Sequence, residues 1–141
     1  MFKKGGQVSY EEKGEELVVH IGGEIDHHSA VVIREHIDEE LYSKRPSLLV
    51  IDIGKVDFMD SSGLGLIMGR FNTMREIGGS VTVADPNPGI ERIMSLAGLE
   101  RIVKVVHTGR QRTAKNQEQA AAVMKSEGFF EGKNSFSESK N

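Results

Sequence analysis

The chain has 141 residues and a formal net charge of −3, with acidic and basic residues well mixed. Its length fits one domain of ordinary size, and the lack of a clustered basic excess argues against a nucleic-acid-binding surface. It contains no cysteine, which excludes disulfide bonds and thiolate chemistry. No run approaches the roughly 20 apolar residues of a membrane span, and the first residues lack the apolar core of a signal peptide. These features predict a soluble, cytoplasmic, single-domain protein.

The arrangement of apolar residues predicts alternating strands and helices along most of the chain. Short runs rich in β-branched residues predict the strands Gln7–Tyr10, Glu16–Ile21, Ser47–Ile53, Val81–Ala84 and Ile102–Val106. Apolar residues at helical spacing predict the helices Ala30–Leu41, Leu64–Ile77 and Ile90–Leu96. This order predicts a single α/β domain, in which helices pack on a mixed, mostly parallel sheet of about four to five strands.

Glycine and polar residues mark the predicted ends of several elements. Gly22–Gly23 is expected to end the second strand, which forms an N-terminal hairpin with the first. Asp26 or Ser29 is expected to cap the first helix, and Val56–Phe58 is expected to extend the sheet after the third strand. Four methionines are expected to fill the core rather than to line a binding groove: Met59, Met68, Met74 and Met94.

The two ends of the chain differ in composition from the residues between them. Residues 1–6 form a short N-terminal extension, and residues 7–107 contain all the strands and helices named above. Within residues 108–130, one further helix is predicted over Thr113–Met124. Residues 131–141 are small, polar and charged, which predicts a disordered tail.

The segment VDFMDSSGLGLIMGR, Val56–Arg70, carries the most informative chemistry. It leaves a central strand and enters the N-terminus of a long helix, where backbone N–H groups are unpaired and the helix dipole is positive. The hydroxyl groups of Ser61 and Ser62 are expected beside those N–H groups, and Asp60 can cap the helix. The glycines that follow, beginning with Gly63, remove side chains from the first turn, so that another surface can approach the backbone.

Other interpretations of this segment remain open from the residues alone. Ser61 and Ser62 can act simply as helix caps. The glycines resemble a dinucleotide-binding fingerprint, but their spacing, G-x-G-x-x-x-G, is one residue too long. A catalytic role for Ser61 needs a base; the chain has five histidines, yet none is paired with Ser61 by spacing and there is no G-x-S-x-G elbow. No metal site is predicted at His27 and His28, because adjacent helical residues do not converge on one ion.

Several separated segments resemble one known family. They are GGEIDHHSA (22–30), SLLVIDI (47–53), VDFMDSSGLGLIMGR (56–70), REIGG (75–79) and SLAGLERIVKV (95–105). In this order and with almost no gaps over residues 7–107, they resemble the bacterial anti-anti-sigma factors, also called anti-sigma factor antagonists. These proteins are the founding branch of the STAS domains, and the resemblance is close to the sporulation stage II type.

The resemblance implies a regulatory binding protein, not an enzyme, that uses no cofactor. Family members bind an anti-sigma factor that is also a Ser/Thr kinase, which frees a sigma factor. Phosphorylation by that kinase releases the complex, and a metal-dependent Ser/Thr phosphatase reverses the modification. Transferred to this sequence, the resemblance implies phosphorylation on Ser61. It also implies a partner-binding surface formed by Asp26, His27, His28, Asp60, Ser62 and Gly63.

Two other functions are retained as alternatives. One is a STAS scaffold in a stress-sensing complex, which would run as a very large particle in a size measurement. The other, from a different class, is a nucleotide-binding protein or an enzyme that uses the Ser61 loop directly. A thermal shift with nucleotides would reveal it, because a ligand stabilises the folded state by mass action.

Overall fold

A computed structural model describes residues 7–109. Its strands are β1 (Gln7–Lys13), β2 (Glu16–Ile25), β3 (Leu48–Met59), β4 (Ser80–Ala84) and β5 (Lys104–Val106). Its helices are α1 (His27–Lys44), α2 (Ser61–Glu76) and α3 (Pro88–Leu96), followed by a 3₁₀ turn over Leu99–Arg101. The predictions for residues 1–6, for the helix Thr113–Met124 and for the tail 131–141 lie outside the described residues.

The five strands form one sheet in the order β1-β2-β3-β4-β5. β1 and β2 are antiparallel and form the predicted N-terminal hairpin, whereas β2, β3, β4 and β5 are parallel neighbours. Each parallel connection contains one helix, and right-handed crossovers between successive neighbours place such helices on the same face of a sheet. The predicted mixed, mostly parallel sheet is confirmed.

The main core lies between the sheet and its helices. Alternate residues of the central strands, such as Val19 and Ile51, pack in one cluster with Ile37 of α1, Ile67 of α2 and Met94 of α3. The residues between them on the strands face the other side of the sheet. There they form a small separate cluster of Val18, Val50 and Ala84. The helices therefore cover one face of the sheet. At the carboxyl edge of the sheet, β2 and β3 lead directly into the N-termini of α1 and α2.

The predicted end of β2 at Gly22–Gly23 is wrong, because the strand continues to Ile25. The register with β3 shifts between His20 and Gly22 and again between Gly23 and Glu24. Gly23 has φ +84°, a conformation that glycine adopts without steric cost. The glycine pair therefore forms a strand irregularity, not a turn. As a result β2 and β3 end side by side at the same edge of the sheet.

The structure also defines the ends of other elements. β1 continues to Lys13, α1 to Lys44, and α2 and α3 begin earlier than predicted, at Ser61 and Pro88. β3 runs without interruption to Met59, which confirms that Val56–Phe58 extends the sheet. α1 begins at His27 and not at Ala30, because Asp26 is its cap. β5 begins at Lys104 and not at Ile102, since the chain after Gly98 makes a 3₁₀ turn in which Ile102 N–H donates to the Leu99 carbonyl at 3.1 Å.

Candidate functional site

The first turns of α1 and α2 lie next to each other at one edge of the sheet. Ile25 and Met59, the last residues of β2 and β3, are paired in the sheet. Immediately afterwards, the Asp60 N–H donates to the Ile25 carbonyl at 3.2 Å. Two adjacent parallel strands thus deliver two adjacent helix N-termini, and the predicted site residues of both segments come together there.

α1 starts with a reciprocal pair of hydrogen bonds. The Ser29 N–H donates to Asp26 Oδ1 at 2.9 Å, and the Asp26 N–H donates to Ser29 Oγ at 3.0 Å. This is a capping box, which satisfies two backbone donors at once. The bond from the Ser29 amide lowers the pKa of the Asp26 carboxyl below its ordinary value. Ser29 is buried, whereas His27 and His28 are exposed beside it.

α2 starts with a single cap. The Ser62 N–H donates to Asp60 Oδ1 at 2.8 Å, which confirms the predicted capping role of Asp60. The third helical residue is Gly63, which has no side chain to return a bond to Asp60, so a capping box cannot form. Ser61, the first residue of the helix, is exposed, and Ser62 is half-buried. Of the two serines, Ser61 is therefore the more accessible to another protein.

Gly63 is required by packing inside the domain. A Cβ atom at this position would lie 2.7 Å from Sδ and 2.9 Å from Cβ of Met59. Gly63 is buried, so its expected contribution to partner binding is through the shape of the loop. At Gly65 and Gly69, in contrast, an added Cβ would meet nothing within 4 Å. Packing within the described residues does not explain these two glycines.

The charges around Ser61 are mostly negative. Glu24 and Asp57 are exposed on β2 and β3, and the caps Asp26 and Asp60 are half-buried between them. Segments 24–28 and 57–63 contain no lysine or arginine. A phosphoryl group on Ser61 would add about −1.5 to −2 further charges to this edge at neutral pH.

Two exposed apolar side chains near Ser61 were missed from the sequence. Phe58, near the end of β3, is 52 % exposed, and Met68 of α2 is 41 % exposed. The prediction that Met68 fills the core is wrong, whereas Met59, Met74 and Met94 are buried as predicted. Met68 lies seven residues after Ser61, and helical periodicity alone places such residues on the same side of a helix.

A histidine of β2 contacts carboxylates of the two neighbouring strands. His20 contacts Asp52 Oδ2 at 2.6 Å through Nδ1 and Glu11 Oε1 at 3.0 Å through Nε2. By strand alternation these side chains face away from α2. His20 and Asp52 border an open pocket of about 430 Å³ that is lined by residues of β1, β2 and β3.

No group of three or more His, Asp or Glu side chains between residues 7 and 109 is arranged to bind a metal ion. In the same part of the chain, no helix combines the length and the hydrophobicity that a membrane crossing requires.

Comparison of the sequence with known families identifies one of them. The family model of the STAS domain matches residues 7–113. The chain therefore belongs to the STAS domain family. It is 34 % identical over 99 residues to the anti-sigma F factor antagonist of Paenibacillus polymyxa, covering 70 % of this chain and 85 % of that protein. It is 31 % identical over 98 residues to the anti-sigma-B factor antagonist of Bacillus subtilis, covering 70 % and 88 % respectively.

Solved structures give the same fold. The anti-sigma factor antagonist SpoIIAA in its unphosphorylated form superimposes with a TM-score of 0.65 at 24 % identity, covering 86 % of this chain and 97 % of that one. The Bacillus cell fate determinant SpoIIAA in its phosphorylated form gives a TM-score of 0.61 at 24 % identity, covering 83 % and 99 %. At this identity the structural likeness establishes the fold.

Proposed function

We propose that this protein is an anti-sigma factor antagonist that is switched by phosphorylation on Ser61. The observation that carries the proposal is the exposed Ser61 at the first position of α2, in a chain 34 % and 31 % identical to proteins named anti-sigma factor antagonists. The unphosphorylated form binds an anti-sigma factor that is a Ser/Thr kinase, and a sigma factor is released. Phosphorylation of Ser61 ends the complex.

The geometry supports a switch that acts on the interface and leaves the fold intact. A phosphoryl group at a helix N-terminus is favoured by the dipole and by free backbone N–H groups, so the domain tolerates the modification. The same group would be added to an edge of the sheet that already carries Asp26, Asp57 and Asp60, and in a complex it would be a buried, unpaired charge. Such a charge costs on the order of 2–5 kcal/mol in binding.

The partner surface is proposed to include both helix starts. Asp26, His27 and His28 contribute from α1, and Asp60, Ser62 and the Gly63-shaped loop contribute from α2. Phe58 and Met68 add exposed apolar area on β3 and α2, the two elements that flank Ser61, of the kind that anchors protein interfaces.

A metal-dependent Ser/Thr phosphatase would reset the switch, and the cytoplasm is the proposed location. In this role the protein is a substrate and a binding partner, without catalytic activity or a cofactor of its own.

The direct test is mass spectrometry of the intact protein after incubation with a candidate anti-sigma kinase and ATP, followed by site mapping. We expect one added phosphate, on Ser61, and none in a Ser61→Ala variant. A Ser62→Ala variant is the matched control and should still be phosphorylated. An active cognate kinase that adds no phosphate, or that modifies a different residue, would contradict the proposal.

A further inference from the structure

An ion pair between a buried arginine and a partly exposed aspartate joins α1 and α2. Arg70 of α2 is 5 % exposed, and its Nε lies 3.0 Å from Oδ1 of Asp38 on α1. The distance is that of an ion pair, but the N–H does not point at the oxygen. Within the described residues, Arg70 Nε, Arg70 Nη1 and Asp38 Oδ1 are buried without a hydrogen bond. The contact is therefore held by charge and packing, not by aligned hydrogen bonds.

This arrangement is a poor source of stability. Burial lowers the pKa of Arg70, the charge of Asp38 opposes that effect, and the nearby positive charge of Arg34 adds to it. A guanidinium group stays ionised in proteins. Removing the charge of Arg70 from water therefore destabilises the folded state. Replacing such a pair by apolar residues of similar size is often neutral or stabilising. A role other than stability would explain why charged residues occupy this place.

The position of the pair indicates what that role is. α2 carries Ser61 at its first residue, and α1 follows directly after Asp26. Apolar packing between two helices is non-directional, so it specifies the register of one helix on the other less sharply than a charge pair does. A charge pair in an apolar interface is satisfied in only one register, since a displaced helix leaves Arg70 buried without a counter-ion.

We propose that Arg70 and Asp38 are positioning residues that fix the register of α2 on α1. They thereby fix the distance between the early turns of α1 and α2, whose starts are already placed side by side by the pairing of Ile25 with Met59. The importance of that distance for the switch rests on the proposed function, whereas the register itself does not. The pair shapes the partner surface from the middle of both helices without being part of it.

The register can be measured because the full chain contains no cysteine. Spin labels at Val31→Cys and Gly65→Cys, two exposed positions in the early turns of α1 and α2, report the separation of the helix starts. Electron paramagnetic resonance then compares the labelled parent with an Asp38→Leu/Arg70→Met double variant. We expect the melting temperature to be kept or raised, while the distance distribution broadens or shifts by about 1.5–5 Å, from one residue of helical rise to one turn.

Two further variants make the result specific. Arg34→Met removes an exposed neighbouring arginine from α1 and should leave the distance distribution unchanged. Arg70→Lys retains a charge opposite Asp38 and should keep the narrow distribution of the parent. An unchanged distribution in the double variant would overturn the proposal, as would a large loss of melting temperature, because the pair would then serve stability. Neither readout depends on a kinase, so a failure of the proposed phosphorylation would leave this result interpretable.

Discussion

The starts of α1 and α2 follow the same plan but differ at the third helical residue. Both are capped by an aspartate at the end of a strand, and both have an exposed residue at the first helical position. In α1 the third residue is Ser29, which closes a capping box with Asp26. In α2 the third residue is Gly63, which has no side chain to complete a capping box and which packs on Met59.

This difference separates a structural helix start from one that is available for function. Closing the box in α1 uses the Ser29 hydroxyl inside the domain, where it is buried. In α2 no side-chain hydroxyl is used in this way, and Ser61 remains exposed at the positive end of the helix. The same cap chemistry thus anchors one helix and presents a serine on the next. Substitutions at matched positions can test this division.

The largest effect is expected from a charge at Ser61. Ser61→Asp should fold but bind the anti-sigma kinase about thirtyfold to several thousandfold more weakly than Ser61→Ala, from a cost of roughly 2–5 kcal/mol. His27→Asp places the same carboxylate at the first residue of α1 and should weaken binding less. Isothermal titration calorimetry would measure all three affinities. Equal affinities for Ser61→Asp and Ser61→Ala would contradict the switch.

The next effect concerns the residue that distinguishes the two starts. Gly63→Ala should destabilise the domain by about 1–3 kcal/mol, because the new methyl group overlaps Met59 in a packed core. Gly65→Ala, two residues later, introduces the same methyl group into open space and serves as the control. Urea denaturation gives both free energies of unfolding. A Gly63→Ala variant as stable as the parent would mean that packing does not require this glycine.

Local chemistry was enough to predict the order of the elements and the Asp60 cap, and it narrowed the cap of α1 to Asp26 or Ser29. Asp26 and Asp60 each precede an apolar helical pattern, and a short acidic side chain before such a pattern satisfies free N–H groups wherever the helix packs. The passage of β2 through Gly22–Gly23 could not be predicted in the same way. A glycine pair suits a turn and a strand irregularity equally well, and pairing with β3 decides between them.

Features that depend on contacts between distant residues could not be predicted from the local sequence pattern. Met68 shares the helical spacing of the core residues, but its orientation depends on which side of α2 meets the sheet. From the sequence alone, Arg70 resembles an ordinary surface cation. Its contact with Asp38 exists only because α1 packs beside α2. The proximity of Asp26 to Ser61 followed from the family resemblance, and its physical cause is the pairing of Ile25 with Met59.

A smaller effect should appear in the pH dependence of the α1 cap. Because the Ser29 amide lowers the pKa of Asp26 from 3.8, the ionised carboxylate favours the folded state. Its contribution is complete above that ordinary pKa and is lost as the pH falls through the lower folded pKa. Asp26→Asn keeps a capping oxygen without the charge, so its melting temperature should be below the parent's near neutral pH and should converge with it in acid. A difference in melting temperature between the parent and Asp26→Asn that does not change with pH would contradict a stabilising role for the ionised Asp26 carboxylate.

The smallest effect on stability is expected at Gly65, and it has the opposite sign. Since alanine is the better helix former and its methyl group meets nothing within 4 Å, Gly65→Ala should stabilise the domain by about 1 kcal/mol. If the partner approaches the α2 backbone near Ser61, the same methyl group should weaken partner binding. Gly69→Ala, one helical turn further from Ser61, should stabilise the domain similarly but weaken binding less. A Gly65→Ala variant that is more stable and binds the kinase as tightly as the parent would place the partner elsewhere on the helix.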